Sequence, residues 1–256
     1  MKKIIIANWK MHPDTPSAAV ALVSGIEKEL PSPLGADVVI APPAPFLIPI
    51  AAVAQKCSLG AQDMTGDDDT ALTGGVSWQI LSSLGVRYVI IGHSERRIRL
   101  GETDEAINQK VRTALAHGLS PILCVGEREH TGADIPVIVS AQVQAALAGI
   151  KKESLKNLIV AYEPARAIST ATQSTGADTP ERMFRARLTI EKVIAVSFDT
   201  TAAKKVRIIY GGSVRQENIA AIIGEGHMDG VLVGGASLRA QEFGEIVRLA
   251  ADVAAR

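Results

Sequence analysis

Tyr88-Val89-Ile90-Ile91-Gly92-His93-Ser94-Glu95-Arg96-Arg97 passes without a break from an apolar run into a glycine, a histidine and a glutamate. A short continuous apolar run of this kind reads as a strand covered on both faces, with the polar residues where that strand meets its loop. One such junction is weak evidence, but the same arrangement recurs along the chain: apolar strand, polar or glycine-rich exit, amphipathic helix. Strands are predicted at 3–8, 37–41, 58–62, 88–92, 121–126, 158–163, 206–210 and 230–234. Helical patterns fall between and after them at 17–30, 46–55, 77–84, 104–117, 137–149, 180–197, 216–223 and 241–254. Open doubly wound sheets alternate too, yet eight units of about 30 residues with no linker favour a closed parallel (β/α)₈ barrel. Proline-rich breaks such as Ala41-Pro42-Pro43-Ala44-Pro45 lie at strand exits and mark no boundary, so residues 1–256 read as one α/β barrel domain.

Composition narrows the function classes. The 27 basic residues balance the 27 acidic ones, and no basic stripe is interleaved with aromatics, which gives nucleic-acid binding little support. No apolar run approaches the roughly 20 residues of a membrane span, and the run after Met1-Lys2-Lys3 is too short for a signal segment. Cys57 and Cys124, the two cysteines, stand in apolar surroundings, as reduced thiols of a cytosolic enzyme do. A cytoplasmic location is expected. Two exits are unusually long: 63–76, with Gly66-Asp67-Asp68-Asp69, and 164–179, rich in Ser, Thr and Ala. Loops of that length are lids, binding loops or partner contacts, although the acidic run reads equally well as solvated surface.

The strand exits carry Asn8 and Lys10, Gln62, His93 and Glu95, Cys124 and Glu127, Glu163, Ser213, and Gly234 and Gly235. A barrel gathers these at one mouth. A carboxylate, an imidazole, an ammonium and two glycine-rich exits are the equipment for moving a proton beside a carbonyl on a small anion. That chemistry requires no metal and no cofactor, and His12, His117, His130 and His227 are dispersed rather than spaced as metal ligands. Taken singly each residue has a plainer reading. Glu163 could cap a helix, His93 could be a satisfied core polar group, Lys10 could be solvated, Asn8 could form a turn, and Gly-Gly alone says only turn.

Six ordered motifs carry a resemblance over nearly the whole chain: Asn8-Trp9-Lys10-Met11, Gly92 to Arg97, Cys124-Val125-Gly126-Glu127, Ala161-Tyr162-Glu163-Pro164, Tyr210-Gly211-Gly212-Ser213-Val214 and Val233-Gly234-Gly235-Ala236-Ser237. In this order and spacing they resemble the triosephosphate isomerase family. The resemblance implies a cofactor-free aldose–ketose isomerase of glycolysis and gluconeogenesis, interconverting dihydroxyacetone phosphate and glyceraldehyde 3-phosphate; this family is one of the standard worked cases of acid–base tuning. It implies Glu163 as base, His93 as a neutral imidazole donating to the carbonyl oxygen, Lys10 as charge stabiliser with Asn8 orienting it, and Glu95 positioning Lys10. Cys124 and Glu127 are assigned to the pocket wall beside Glu163 and to anchoring its loop. Ser213, Gly234 and Gly235 match the phosphate cradle, where glycine lets backbone approach an oxyanion and a helix N-terminus before Gln241 offers free N–H groups.

Departures concentrate in the lid. Glu163-Pro164-Ala165-Arg166-Ala167-Ile168-Ser169-Thr170-Ala171 lacks the glycines and hinge tryptophan usual in the family, and about four residues are inserted relative to it before Thr179-Pro180-Glu181. Ser169 takes the place of the glycine whose N–H grips phosphate, while Pro164, Ile168 and Leu232 are retained as lid root and clamp over the base. In Leu72-Thr73-Gly74-Gly75, which resembles the family's interdigitating loop, Gly75 replaces a glutamate. The acid expected to pair with Arg96 is therefore lost, although a homodimer through the Thr73 loop is still implied. Competing readings are a tetrose-phosphate isomerase with the same catalytic set and a catalytically impaired phosphate-binding barrel. A Schiff-base aldolase is disfavoured, since Lys10 is the one lysine at an inner strand end.

Overall fold

The computed structural model describes residues 1–67, 71–127, 135–164 and 178–254. Eight parallel strands close into a barrel in chain order: β1 (Ile4–Asn8), β2 (Asp37–Ala41), β3 (Ser58–Ala61), β4 (Tyr88–Ile91), β5 (Ser120–Val125), β6 (Ile159–Tyr162), β7 (Arg207–Tyr210) and β8 (Gly230–Val233). Around them run α1 (Pro16–Glu29), α2 (Leu47–Ala51), α3 (Trp78–Ser83), α4 (Ser94–Arg99), α5 (Asp104–Ala116), α6 (Val137–Leu147), α7 (Pro180–Ser197), α8 (Thr200–Ala203), α9 (Ile219–Ile223) and α10 (Ala240–Ala254). The continuous apolar strands have a simple cause. Alternate residues such as Ile4, Ile6, Val39, Ile90, Ile122 and Ile209 fill the barrel interior, while Ile5, Val38, Ile40, Val89 and Ile208 pack outward on the helices. Both faces are buried, so neither tolerates polar residues.

Closure is achieved where β1 meets β8, with Ile4 opposite Gly230 and Val233 opposite Ala7. A Cβ on Gly230 would lie 1.9 Å from the Ile4 carbonyl oxygen. Gly230→Ala is therefore expected to force the seam apart at a cost of about 3 kcal/mol, lowering the calorimetric midpoint by roughly 10 °C. An unchanged midpoint would mean that the seam has slack.

Two predicted helices are shorter than their patterns. The apolar run 46–55 is α-helical only over Leu47–Ala51, following a 3₁₀ turn at Ala44–Phe46; at its end the Glu27 carboxylate accepts the Gln55 N–H, then those of Lys56 and Cys57, at 3.0–3.1 Å, which turns the chain toward β3. The pattern at 216–223 begins its helix at Ile219. Asn218 accepts from the Arg215 N–H and donates to the Ser213 carbonyl, making a turn of the residues before it. Among the described residues no helix is long and apolar enough to cross a membrane.

Candidate active site

Asn8 ends β1 nearly buried, and its side-chain oxygen accepts the Lys10 N–H at 3.1 Å. Lys10 has φ +52°, a left-handed conformation unusual for a side-chain-bearing residue and unfavourable by about 1 kcal/mol or more. Gln62, at the exit of β3, holds that turn by donating its amide to the carbonyls of Lys10 and Ala41 at 2.7 and 2.9 Å. The ammonium so presented meets Glu95 Oε1 at 2.7 Å. Burial opposes ionisation of Glu95, but the Lys10 hydrogen bond and charge, with His93 and Arg99, outweigh it and hold the carboxyl below its ordinary range.

His93 caps α4, and its Nδ1 accepts the Glu95 N–H at 3.3 Å. With that lone pair occupied, the neutral imidazole carries its proton on Nε2. Nε2 lies 3.2 Å from Glu163 Oε1, close but not aligned as a hydrogen bond. The other oxygen, Oε2, accepts the Ser94 N–H at the start of α4 at 2.9 Å. Glu163 is 2% exposed. Its backbone N–H donates to Val125 O at 2.8 Å, and two glycines make its slot. A Cβ on Gly126 would sit 1.9 Å from the Glu163 carbonyl oxygen, and one on Gly211 3.0 Å from its Cγ. The sequence offered both glycines inside recognisable motifs but gave no sign that they were there for Glu163.

One cavity of about 220 Å³ is lined by Asn8, Lys10, His93, Glu163, Ser213, Leu232, Gly234 and Gly235, together with Gly211, Gly212, Arg215 and Arg239. The structure thus brings Asn8, Lys10, His93, Glu163, Ser213, Gly234 and Gly235 to one mouth, with Glu95 set back behind Lys10. At Gly234 and Gly235 an added Cβ would meet nothing within 4 Å. Neighbouring atoms do not demand glycine there; bare backbone faces the cavity, as a phosphate cradle needs. The chain beyond it makes a short 3₁₀ turn, Gly235–Leu238, before α10 begins, so the first free N–H groups past the cradle belong to that turn. Pro164 is buried beside Glu163 in sequence. Arg166, Ile168 and Ser169, like Asp68, Asp69 and His130, lie outside the described residues.

Cys124 and Glu127 do not form the pocket wall. Cys124 points into the barrel interior, where burial, then the neighbouring Glu163 carboxylate, push its thiol well above the ordinary range. Glu127, 5% exposed, receives Arg182 Nη2 at 2.8 Å and the Tyr162 hydroxyl at 3.2 Å, behind the exits of β5 and β6. Nor is Arg96 left without an acid. Asp63 meets it at 2.6 Å from within the chain, Glu102 approaches its Nε at 3.5 Å, and Lys110 joins Asp63 to Glu102.

The family model described as triosephosphate isomerase matches residues 3–250. A triosephosphate isomerase of Thermoanaerobacter sp. (strain X514) is 45% identical over 251 residues, covering 96% of this chain and 98% of that protein. One of Symbiobacterium thermophilum is 42% identical over 257 residues, with 99% and 98% covered, and one of Carboxydothermus hydrogenoformans is 43% identical over 251, with 96% and 98% covered. Likeness that runs the whole length of both chains extends well beyond the six motifs, and by it the chain belongs to the triosephosphate isomerase family.

Proposed function

We propose that this mouth interconverts dihydroxyacetone phosphate and D-glyceraldehyde 3-phosphate, with Glu163, His93 and Lys10 as the reacting set. The Glu163 carboxylate takes a proton from the carbon beside the carbonyl, and the C–H electron pair moves to form an enediolate. His93 Nε2–H donates to the oxygen that gains charge, and Lys10 stabilises that charge and the phosphate. His93 Nε2 gives its proton to that oxygen and takes the hydroxyl proton from the neighbouring one, and Glu163 returns its own proton to the neighbouring carbon as the C=O bond forms on the other. General acid–base catalysis of this kind contributes about 10²–10⁴-fold, and fixed donors aimed at the developing oxyanion add a comparable factor. The observation that carries the reading is the shared cavity, where base, N–H donor and cation face bare backbone suited to phosphate. Asn8 and Glu95 orient Lys10; Ser213, Gly234 and Gly235 receive the phosphate; Leu232 shields the base. Ser169 as a further phosphate donor and Ile168 as clamp belong to the same reading, as do one barrel domain over residues 1–256 and a cytoplasmic location.

A coupled assay of glyceraldehyde 3-phosphate isomerisation tests this, run beside a tetrulose phosphate and with phosphoglycolate as competitor. Rapid, saturable turnover of the triose phosphate, inhibited by phosphoglycolate, is the expected result. Phosphoglycolate binding without turnover would point to an impaired barrel, and faster turnover of the tetrulose would move the substrate class.

The homodimer is part of the proposal and rests on a groove lined by Gln62, Met64, Thr73, Gly75, Val76 and Arg96, with exposed Met11, Ile48 and Leu72 on the same molecule. Light scattering at micromolar concentration is expected to give the mass of two chains. A single-chain mass would show that Gly75 has removed too much of the contact.

A further inference from the structure

Arg182 occupies a place its helix does not favour. It lies in the first turn of α7, where the helix dipole repels a cation, and it is 5% exposed. Thr179 already caps the helix, its hydroxyl accepting the Arg182 N–H at 3.2 Å. Among the described residues a pair of carboxylates from outside the helix holds the guanidinium. Nη2 donates to Glu127 Oε1 at 2.8 Å, and Nε lies 2.9 Å from Asp178 Oδ2, an ion contact without hydrogen-bond alignment. The group extends further on both sides, because the Tyr162 hydroxyl donates to Glu127 at 3.2 Å and the Asp178 N–H donates to the Tyr210 hydroxyl at 3.0 Å.

One buried cation therefore ties together the exits of β5, β6 and β7 and the start of α7. These are the strand ends that enclose Glu163. Tyr162 immediately precedes it, Gly126 adjoins Glu127 and abuts the Glu163 carbonyl, and Gly211 follows Tyr210 and abuts its Cγ. Apolar packing would hold such strands at least as strongly as buried charge does. A fixed ion group instead specifies geometry, and a local rule broken inside a fold marks functional positions.

We propose that Arg182 is a positioning residue for Glu163, acting through Glu127 and Tyr162 to fix where the carboxylate stands. The inference rests on Glu163 being the base. Arg182→Met and Glu127→Gln are compared with the parent protein by coupled assay, phosphoglycolate inhibition and thermal melting. Each variant is expected to lower kcat by about tenfold or more, since displacements near 1 Å can cost 10²-fold. Phosphoglycolate inhibition is expected to stay within about threefold, because Ser213, Gly234 and Gly235 stand outside the ion group. Arg182→Lys, which keeps the charge but not the planar fork, is expected to recover part of kcat. Arg248→Met, at the exposed Glu245 pair on α10, is expected to match the parent.

A lowered melting point with kcat within twofold of the parent in both Arg182→Met and Glu127→Gln would make the role merely structural and overturn the proposal. If Arg182→Met does not fold, Glu127→Gln decides, since it keeps an acceptor for Tyr162 and removes only the charge. An inactive parent would overturn the assignment of Glu163 along with this one, whereas an active parent with unchanged variants would overturn this one alone.

Discussion

Glu163→Gln is expected to lower kcat by about 10³–10⁴-fold and to leave KM nearly unchanged. Glutamine has the size and shape of glutamate. Its amide oxygen can still accept the Ser94 N–H, so the slot made by Gly126 and Gly211 stays filled. Only the ability to hold a proton is lost. Glu163→Asp makes a different point, because it keeps the acid and withdraws it by roughly the length of one bond, enough for about 10²-fold. Gln should therefore be the slower of the two, with phosphoglycolate inhibiting both as it does the parent. Loss of less than tenfold in Glu163→Gln would assign the proton to some other group, and a weakened inhibitor would show that the slot itself had moved.

Lys10→Met is expected to lower kcat/KM by about 10³-fold and to weaken phosphoglycolate strongly. Removing one donor aimed at developing charge costs about 10²–10³-fold. Here the loss is compounded, because Glu95 would be left facing an anionic substrate without its cation at 2.7 Å. The Lys10–Glu95 pair also sets a pH window. Glu95 titrates below its ordinary value of 4.5 in the folded protein. The stability contributed by the pair is therefore present above that value and lost as pH falls through the folded one. Lys10→Met removes this term, so the variant should be less stable above that value and its acid limb flatter, with parent and variant converging as pH falls through the folded value. Inhibition constants and acid titrations of parent and variant measure both effects; wild-type inhibitor affinity in Lys10→Met would exclude the charge role.

The eight strands and the mouth were legible because both rest on local pattern. A strand buried on two faces must be apolar throughout, and the residues that follow it must reach the barrel rim. What the pattern could not supply was direction beyond the strand end. Alternation places Cys124 inward, but it stops before Glu127, which turns behind the strands to Arg182 instead of into the cavity. Long-range pairing was equally hidden. Gly75 announced the loss of an acid for Arg96, whereas Asp63, 33 residues before Arg96, replaces it only because the fold brings them together. The positive φ of Lys10 leaves no mark in composition, since Gln62 and Asn8, not glycine, enforce it. Shortened α2 has the same origin: distant Glu27 takes over the Gln55 N–H that an apolar pattern alone would give to a helix.

The seam between Ile4 and Gly230 has a meaning for the growing chain on the ribosome. The first strand emerges early, yet the partner that covers one of its edges is made more than 220 residues later. At about 5–20 residues per second that interval is roughly ten to forty-five seconds. Throughout it the nascent sheet has an open, apolar edge, the kind of surface that recruits other chains. Because completion depends on the last strand, translation stalled between β7 and Gly230 is expected to leave an open, aggregation-prone sheet, and in vivo yield should depend on how quickly the final segment is synthesised.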